Sequence, residues 1–279
     1  MTSQAANRTS DVRGRRLSVN RYLCDGSVPF PRFAAAAREA GMTALGITRA
    51  ALAEMGTPGI VRCLADNGLG VSSLNSAGYF TRSDADAAEY ENFALIDAAA
   101  EIGADVLCVI AGGIGLPPAP LEDARRRVAE GFALLSSRAS DAGVRLGLEP
   151  IHPSGVATKG CINCIAQALD LVRDRDNTGL IVDLAHSWWD PDLKDLFRTR
   201  RDEIALVQLC NVRFERDVPA GRASLLTGAL NLRSLLQTLI GDYDGTLELE
   251  LFADDLQNRN PLEIVREFPE ELAQVLGAG

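Results

Sequence analysis

Two segments of the chain place a carboxylate directly after an apolar run and a histidine three residues beyond that carboxylate. Glu149 and His152 follow the first run, and Asp183 and His186 follow the second. A packed core has no need of an acid at the end of a buried strand, because a buried carboxylate must be paired or bound. The two spacings therefore indicate a binding site.

Two later apolar runs end in the same way, near Gln208 and Glu250. Three carboxylates gathered at one place would repel one another and raise one another's pKa values, and a divalent cation removes that cost. Oxygen ligands suit Mg²⁺ or Mn²⁺ better than they suit a thiolate-binding metal. We therefore predict a divalent metal, Mg²⁺ or Mn²⁺, held by Glu149, Asp183, Gln208 and Glu250.

The elements that must position these residues alternate between strand and helix. Eight apolar runs predict strands over residues 17–20, 43–48, 70–74, 105–110, 144–149, 179–183, 204–208 and 246–251. Helical patterns fall between them, over residues 32–40, 84–102, 122–142, 164–173, 230–240 and 261–276.

The connections between these elements differ in kind. Short glycine-containing connections lead into several strands, whereas longer polar and proline-containing connections follow the strands. That asymmetry is typical of a (β/α)₈ TIM barrel, whose site is built from the loops after the strands. An open doubly wound sheet is the rival, but the glycine-rich run at 111–115 lacks the spacing of a dinucleotide-binding turn. We predict an α/β fold with a single (β/α)₈ barrel over residues 17–279, after a flexible tail over residues 1–16.

Composition limits the classes of partner. The net charge of −10 argues against a nucleic-acid partner, because binding a phosphate backbone normally requires a basic face. No apolar run approaches the roughly 18 to 20 residues of a membrane span. The six cysteines are dispersed along the chain. That usage is typical of a reducing compartment, so we expect a cytoplasmic protein that binds neither nucleic acid nor membrane.

The two acid–histidine segments, with the opening run at residue 17 and the run at 40–47, resemble the xylose-isomerase-like TIM barrels. This superfamily contains sugar phosphate isomerases and epimerases, and the resemblance covers nearly the whole chain from about residue 16. It implies a metal bound by Glu149, Asp183, the seventh-strand residue and Glu250. In the epimerases the two glutamates also exchange a proton on either face of the substrate, which implies catalytic roles for Glu149 and Glu250.

The resemblance also indicates residues that would contact the substrate. His186 matches a substrate-binding histidine, and His152 lies where many relatives have a second polar contact. Trp188, beside Trp189, could form a wall of the pocket. Asn211 follows the seventh strand, and Arg213, Arg216 and Arg222 lie in the next connection, where one of them could bind a carboxylate, phosphate or sugar oxygen. We expect His152, His186, Trp188, Asn211, Arg213 and Arg222 to bind substrate.

The chain departs from the family at the seventh strand, where relatives usually have a histidine and often an aspartate three residues later. Here the two positions are the amides Gln208 and Asn211. Some dehydratases of the superfamily use glutamine at the first of them. The abasic-site endonucleases of the superfamily bind several zinc ions through many histidines, and this chain has two histidines.

Three hypotheses for function follow. The first is a metal-dependent isomerase or epimerase of a small polyol or keto compound, acting by proton abstraction next to a carbonyl and a metal-stabilised enediolate. The second is a lyase of the dehydroshikimate or inosose dehydratase type. The third is a metal-free, non-catalytic or repurposed barrel. Relatives often assemble, so a homodimer or homotetramer is expected.

Overall fold

The computed structural model describes residues 14–24, 26–115, 117–240 and 243–277, so the predicted tail falls largely on residues outside these ranges. Eight parallel strands close into a barrel, which confirms the predicted (β/α)₈ fold. The barrel strands are β1 (Leu17–Asn20), β2 (Ala44–Thr48), β3 (Gly70–Gly78), β4 (Leu107–Ile110), β5 (Leu146–Glu149), β6 (Thr178–Asp183), β7 (Ile204–Leu209) and β10 (Leu247–Leu249). Between β7 and β10, strands β8 (Asn211–Glu215) and β9 (Val218–Ala223) form a separate antiparallel hairpin. The barrel closes where β1 pairs with both β2 and β10.

Helices connect the barrel strands. They are α1 (Phe30–Glu39), α2 (Arg49–Asn67), α3 (Ala85–Ile102), α4 (Leu121–Asp141), α5 (Ile165–Val172), α6 (Leu184–Ser187), α7 (Leu193–Thr199), α8 (Leu232–Ile240) and α9 (Pro261–Leu276). Helix α2 was not predicted from the sequence. Gly56 and Pro58 interrupt it, and Gly56 has non-helical dihedral angles, so the helical periodicity is broken in its middle.

The interior of the barrel contains a buried carboxylate, Glu248, on β10. Its oxygens accept hydrogen bonds from the hydroxyls of Ser72 and Ser73 and from the amide of Asn20. Gly46 on β2 leaves room for this network, because a Cβ there would lie 2.7 Å from Glu248 Oε2. The barrel interior below the mouth therefore contains a polar network of hydrogen bonds around one acid.

The β8–β9 hairpin follows β7 and was predicted only as a loop. Arg216 and Asp217 form its two-residue turn, and both have positive φ angles, of 49° and 66°. Such turns normally contain Asn-Gly or Asp-Gly, so the Arg-Asp pair gave no hairpin signal. The hairpin matters for the site because β9 contains Arg222.

No helix in the described ranges is both long and apolar enough to cross a membrane.

Candidate active site

The four residues predicted to bind metal lie at the carboxyl ends of neighbouring barrel strands. Glu149 and Asp183 are the last residues of β5 and β6, Gln208 lies in β7, and Glu250 directly follows β10. All four are buried. Asp183 is paired in register with Gln208 across β6 and β7. The strand-end argument from the sequence therefore placed these side chains on one rim.

Arg222 of the hairpin lies between two of these acids. Its Nη2 donates to Asp183 Oδ2 and, at 2.9 Å, to Glu250 Oε2. Its Cζ is 4.5 Å from the centroid of the Phe252 ring. The backbone N–H of Arg222 donates to Asp255 Oδ1 at 2.9 Å, which fixes β9 against the connection after β10. A buried guanidinium thus bridges carboxylates from opposite sides of β7.

Gln208 points the donor end of its amide at glutamates. Its Nε2 lies 3.0 Å from Oε1 of Glu248 and 3.0 Å from Oε1 of Glu250. Its carbonyl Oε1 is buried and has no hydrogen-bond partner among the described residues. Carboxylates only accept hydrogen bonds when ionised, so this orientation is the one the two glutamates select.

His186 lies between Glu149 and Asp183. Its Nε2 is 3.7 Å from Glu149 Oε1 and 3.8 Å from Asp183 Oδ2. Its Nδ1 accepts a hydrogen bond of 3.4 Å from the backbone N–H of His152. Burial lowers the pKa of His186 to about 4, so the ring is neutral at pH 7. Because Nδ1 is an acceptor, the single ring proton is on Nε2 and faces the carboxylates.

The surroundings of the acids at the carboxyl ends of the strands shift their pKa values in opposite directions. Burial, and then the charge of Asp183, raise the pKa of Glu149 to about 7. Burial alone would also raise the pKa of Asp183, but Arg222 lowers it below its ordinary value. Burial raises the pKa of Glu250, although Arg222 opposes that rise. Environments that separate the pKa values of neighbouring acids are typical of acid–base sites.

Among the described residues, Glu149 forms no ion pair with an arginine or a lysine. One of its oxygens faces His186, and the other accepts a hydrogen bond of 3.4 Å from the Cys108 thiol. It therefore combines a pKa near neutrality with access to the pocket, which is what a general base needs.

The pocket at this rim has a volume of about 170 Å³. Its walls are formed by Tyr22, Asn75, Ser76, Tyr79, Cys108, Ile110, Glu149, Ile151, Lys159, His186, Arg222, Glu250 and Phe252. Sequence reasoning missed Lys159, Tyr22 and Phe252. Lys159 belongs to a connection without a motif, and Phe252 lies two residues beyond Glu250, where the alternation of a strand could have indicated a shared face.

Four residues predicted to bind substrate are not part of the pocket wall. His152 contacts Ser154 and stacks on Trp188, with ring centroids 6.3 Å apart. Asn211 bonds to the backbone of Leu225 and Leu230. Arg213 pairs with Glu215 of its own strand. Trp188 also packs against Phe214. Of the predicted contact residues, His186 and Arg222 line the pocket.

Glu149, Asp183 and His186 are three residues that could hold a metal ion, since one ligand atom from each lies within 4.8 Å of the others. The donor chemistry around them does not fit a divalent ion in this arrangement. Arg222 is bonded to Asp183 and Glu250, and Gln208 presents N–H groups instead of its carbonyl. The predicted Mg²⁺ or Mn²⁺ would have to displace Arg222, and it stays a prediction.

Comparison with known proteins identifies the fold more closely. The family description "Xylose isomerase-like TIM barrel" matches residues 34–274. No curated protein matches the chain. The solved structure of protein SMc04130 from Sinorhizobium meliloti 1021 is 29% identical, with a TM-score of 0.84, over 92% of this chain and 96% of that one.

Two further solved structures share the fold at low identity. An L-ribulose 3-epimerase is 20% identical, with a TM-score of 0.75, over 95% of each chain. The IOLI protein with a binding zinc atom is 16% identical, with a TM-score of 0.79, over 94% of this chain and 98% of that one. At these identities the likeness concerns the fold.

Proposed function

The chain belongs to the xylose isomerase-like TIM-barrel family, and from that premise we propose that it is an isomerase or epimerase of a small polyol-like carbonyl compound. The reaction would move a proton at a carbon next to a carbonyl. The observation that carries the proposal is Glu149, a buried carboxyl at the pocket whose pKa lies near 7. An ordinary structural acid would be ionised well below neutrality and would be paired.

Glu149 acts as the base. It removes the proton from the carbon, the electrons of that C–H bond form a carbon–carbon double bond, and the carbonyl pair moves to oxygen to give an enediolate. The neutral imidazole of His186, with its proton on Nε2, can donate to an oxygen of this intermediate. A glutamate base beside a neutral imidazole is a known arrangement for this chemistry.

Glu250 is the second acid–base group. Burial raises its pKa above the ordinary value of a glutamate, although Arg222 opposes that rise, and a raised pKa suits a group that returns a proton to the carbon. If the proton returns on the opposite face of the same carbon, the reaction is an epimerisation. If it is delivered to the neighbouring carbon, the reaction is an isomerisation.

The pocket wall supports a small polar substrate. Tyr22, Tyr79 and Asn75 offer hydroxyl and amide groups, and Lys159 adds a cation. Lys159 makes no ion pair within the part of the chain that the structure describes, so its charge is available to a ligand. Sugars, cyclitols and keto acids share the required chemistry: several hydroxyls, a carbonyl and, in the keto acids, a negative charge.

Solvent exchange tests the proposal directly. The protein is incubated in D₂O with a panel of ketoses, inososes and hydroxy-keto acids, and deuterium incorporation next to the carbonyl is followed by NMR. We expect exchange into at least one compound, and we expect Glu149→Gln to abolish it. Absence of exchange into every compound of the panel would contradict the proposed reaction.

A dehydratase is the second candidate, and Gln208 is the observation that favours it. Loss of a β-hydroxyl from the same enediolate, with the proton that Glu149 removed passing to the leaving oxygen, would release water and leave an unsaturated product. The NMR experiment separates the two reactions, because dehydration removes a hydroxyl group from the substrate and epimerisation does not.

A further inference from the structure

We propose that the Arg222 guanidinium is the resident cation of this site, standing in place of the divalent ion predicted from the sequence, and that the protein works without a metal. The catalytic part of this inference rests on the proposed function. The part about the cation depends only on the arrangement of side chains.

Arg222 holds acids from different strands together, as a bound metal ion would. A shared ion holds acids from different strands together and cancels their repulsion. Here Nη2 bonds to Asp183 at the end of β6 and to Glu250 after β10. Asp183 and Glu250 raise the pKa of Arg222 further above its ordinary value, although burial opposes this, so the charge is permanent.

The groups around Arg222 present N–H donors at positions where a metal ion would need lone pairs. Gln208 turns N–H groups, and not its carbonyl oxygen, towards Glu248 and Glu250. His186 accepts a hydrogen bond at Nδ1, so its Nε2 carries a proton where a metal ligand needs a lone pair. Gln208 thus donates to its carboxylates, and His186 turns an N–H towards Glu149 and Asp183 at 3.7 and 3.8 Å, whereas a bound ion would require acceptors at these positions.

Arg222 also retains donors for a ligand. Its two carboxylate bonds use Nη2, and its Nη1 and Nε have no hydrogen-bond partner among the described residues. The Nε is buried, and the side chain forms part of the pocket wall. A substrate oxygen would therefore accept from the part of the guanidinium that lines the pocket, whereas the buried Nε has no exposed surface to offer.

The proposal assigns Arg222 a chemical role. When Glu149 removes the proton, negative charge develops on the former carbonyl oxygen. A fixed, buried guanidinium stabilises such charge without reorganisation. The Phe252 ring beneath the guanidinium and the bond from its backbone to Asp255 hold it in position.

The first test measures metal binding by the wild-type protein without any substrate. The purified chain is dialysed against EDTA, and Mn²⁺ is titrated into it by calorimetry and by electron paramagnetic resonance of the free ion. We expect no stoichiometric binding and no change in melting temperature with EDTA or Mn²⁺. One Mn²⁺ bound per chain at micromolar concentrations would overturn the proposal.

The second test removes the guanidinium. Arg222→Met frees Asp183 and Glu250, so we expect this variant to melt at a lower temperature and to regain part of the loss when Mn²⁺ is added. Arg198→Met is the matched control, because Arg198 pairs with Asp195 on the exposed surface of α7. Its melting temperature, with and without Mn²⁺, should equal that of the wild-type protein. If Mn²⁺ leaves the melting of Arg222→Met unchanged, Arg222 does not occupy a cation position. If the variant does not fold, the wild-type titration decides.

The third test concerns activity, and it keeps the two proposals apart. For any compound that exchanges deuterium, the rate in EDTA should equal the rate with added Mn²⁺. A rate that falls more than tenfold in EDTA and returns with Mn²⁺ would overturn the role of Arg222 while leaving the isomerase proposal intact. If no compound reacts, the metal titration still decides whether Arg222 is the cation.

Discussion

Gln208 donates a hydrogen bond of 3.0 Å from Nε2 to Oε1 of Glu250. The same nitrogen reaches Glu248 inside the barrel, also at 3.0 Å. The amide therefore joins an acid of the polar core to an acid of the pocket. A histidine in this position could offer only one proton to the pair when neutral. The exchange of histidine for glutamine thus suits a site whose acids are held by hydrogen-bond donors.

Gln208→Met tests this link. The substitution keeps the side-chain length but removes a donor from two buried carboxylates. We expect the free energy of unfolding to fall by about 1–3 kcal/mol, the usual cost of leaving a buried partner unsatisfied. Urea unfolding measures it. Gln237→Met on the exposed side of α8 is the control, and it should change stability by less than about 0.5 kcal/mol. Equal effects of the two variants would contradict the role of Gln208.

Gly46→Ala should be destabilising for a different reason. An added Cβ would lie 2.7 Å from Glu248 Oε2 and 2.8 Å from Asn20 Nδ2, so the network would have to move. We expect a loss of about 1–3 kcal/mol, as for other overpacked interiors. Gly70→Ala is the matched control in a neighbouring strand, because its nearest contact would be 3.8 Å away. A Gly46→Ala protein as stable as Gly70→Ala would show that the network is not tightly packed.

The sequence predicted the barrel and the position of its acids because the carboxyl ends of parallel strands lie at one edge of the sheet. Acids at the ends of Thr178–Asp183 and Leu146–Glu149 must share one edge once the sheet closes. The partner of those acids could not be predicted. Arg222 is 39 residues from Asp183, and the hairpin that brings it there has a turn without glycine. Arg213, Arg216 and Arg222 are equivalent candidates in the sequence, and only the register of the hairpin separates them.

Lys159→Met tests whether the substrate carries negative charge or strongly accepting oxygens. The chain has two lysines, and Lys159 is the one at the pocket, with Nζ 5.6 Å from the Phe252 ring. Losing one charge-assisted hydrogen bond of about 1.5–3 kcal/mol should raise KM by roughly 10-fold or more. Steady-state kinetics measure this. Lys194→Met on exposed α7 is the control, and a comparable KM in both variants would mean that Lys159 does not contact the substrate.

Glu149→Gln should lower kcat by about 100- to 10,000-fold, the contribution typical of one general base. The amide fills the same volume and still accepts from the Cys108 thiol, so the fold should be kept. Circular dichroism and melting check this. Glu215→Gln, on the exposed part of the hairpin, is the matched control and should retain the wild-type rate. A Glu149→Gln enzyme with more than a tenth of wild-type activity would exclude Glu149 as the base.

The pH dependence of kcat/KM tests both the base and the cation. Burial and Asp183 raise the pKa of Glu149 to about 7, and only its ionised form accepts a proton. The rate should therefore rise with pH through about 7 and level off above it. The raised pKa also means that ionised Glu149 costs stability, so wild type should lose stability relative to Glu149→Gln as pH rises from about 4.5 to 7. A divalent ion on this carboxylate would lower its pKa and move both transitions well below neutrality. A rate independent of pH between 5 and 8 would thus contradict the metal-free arrangement around Arg222.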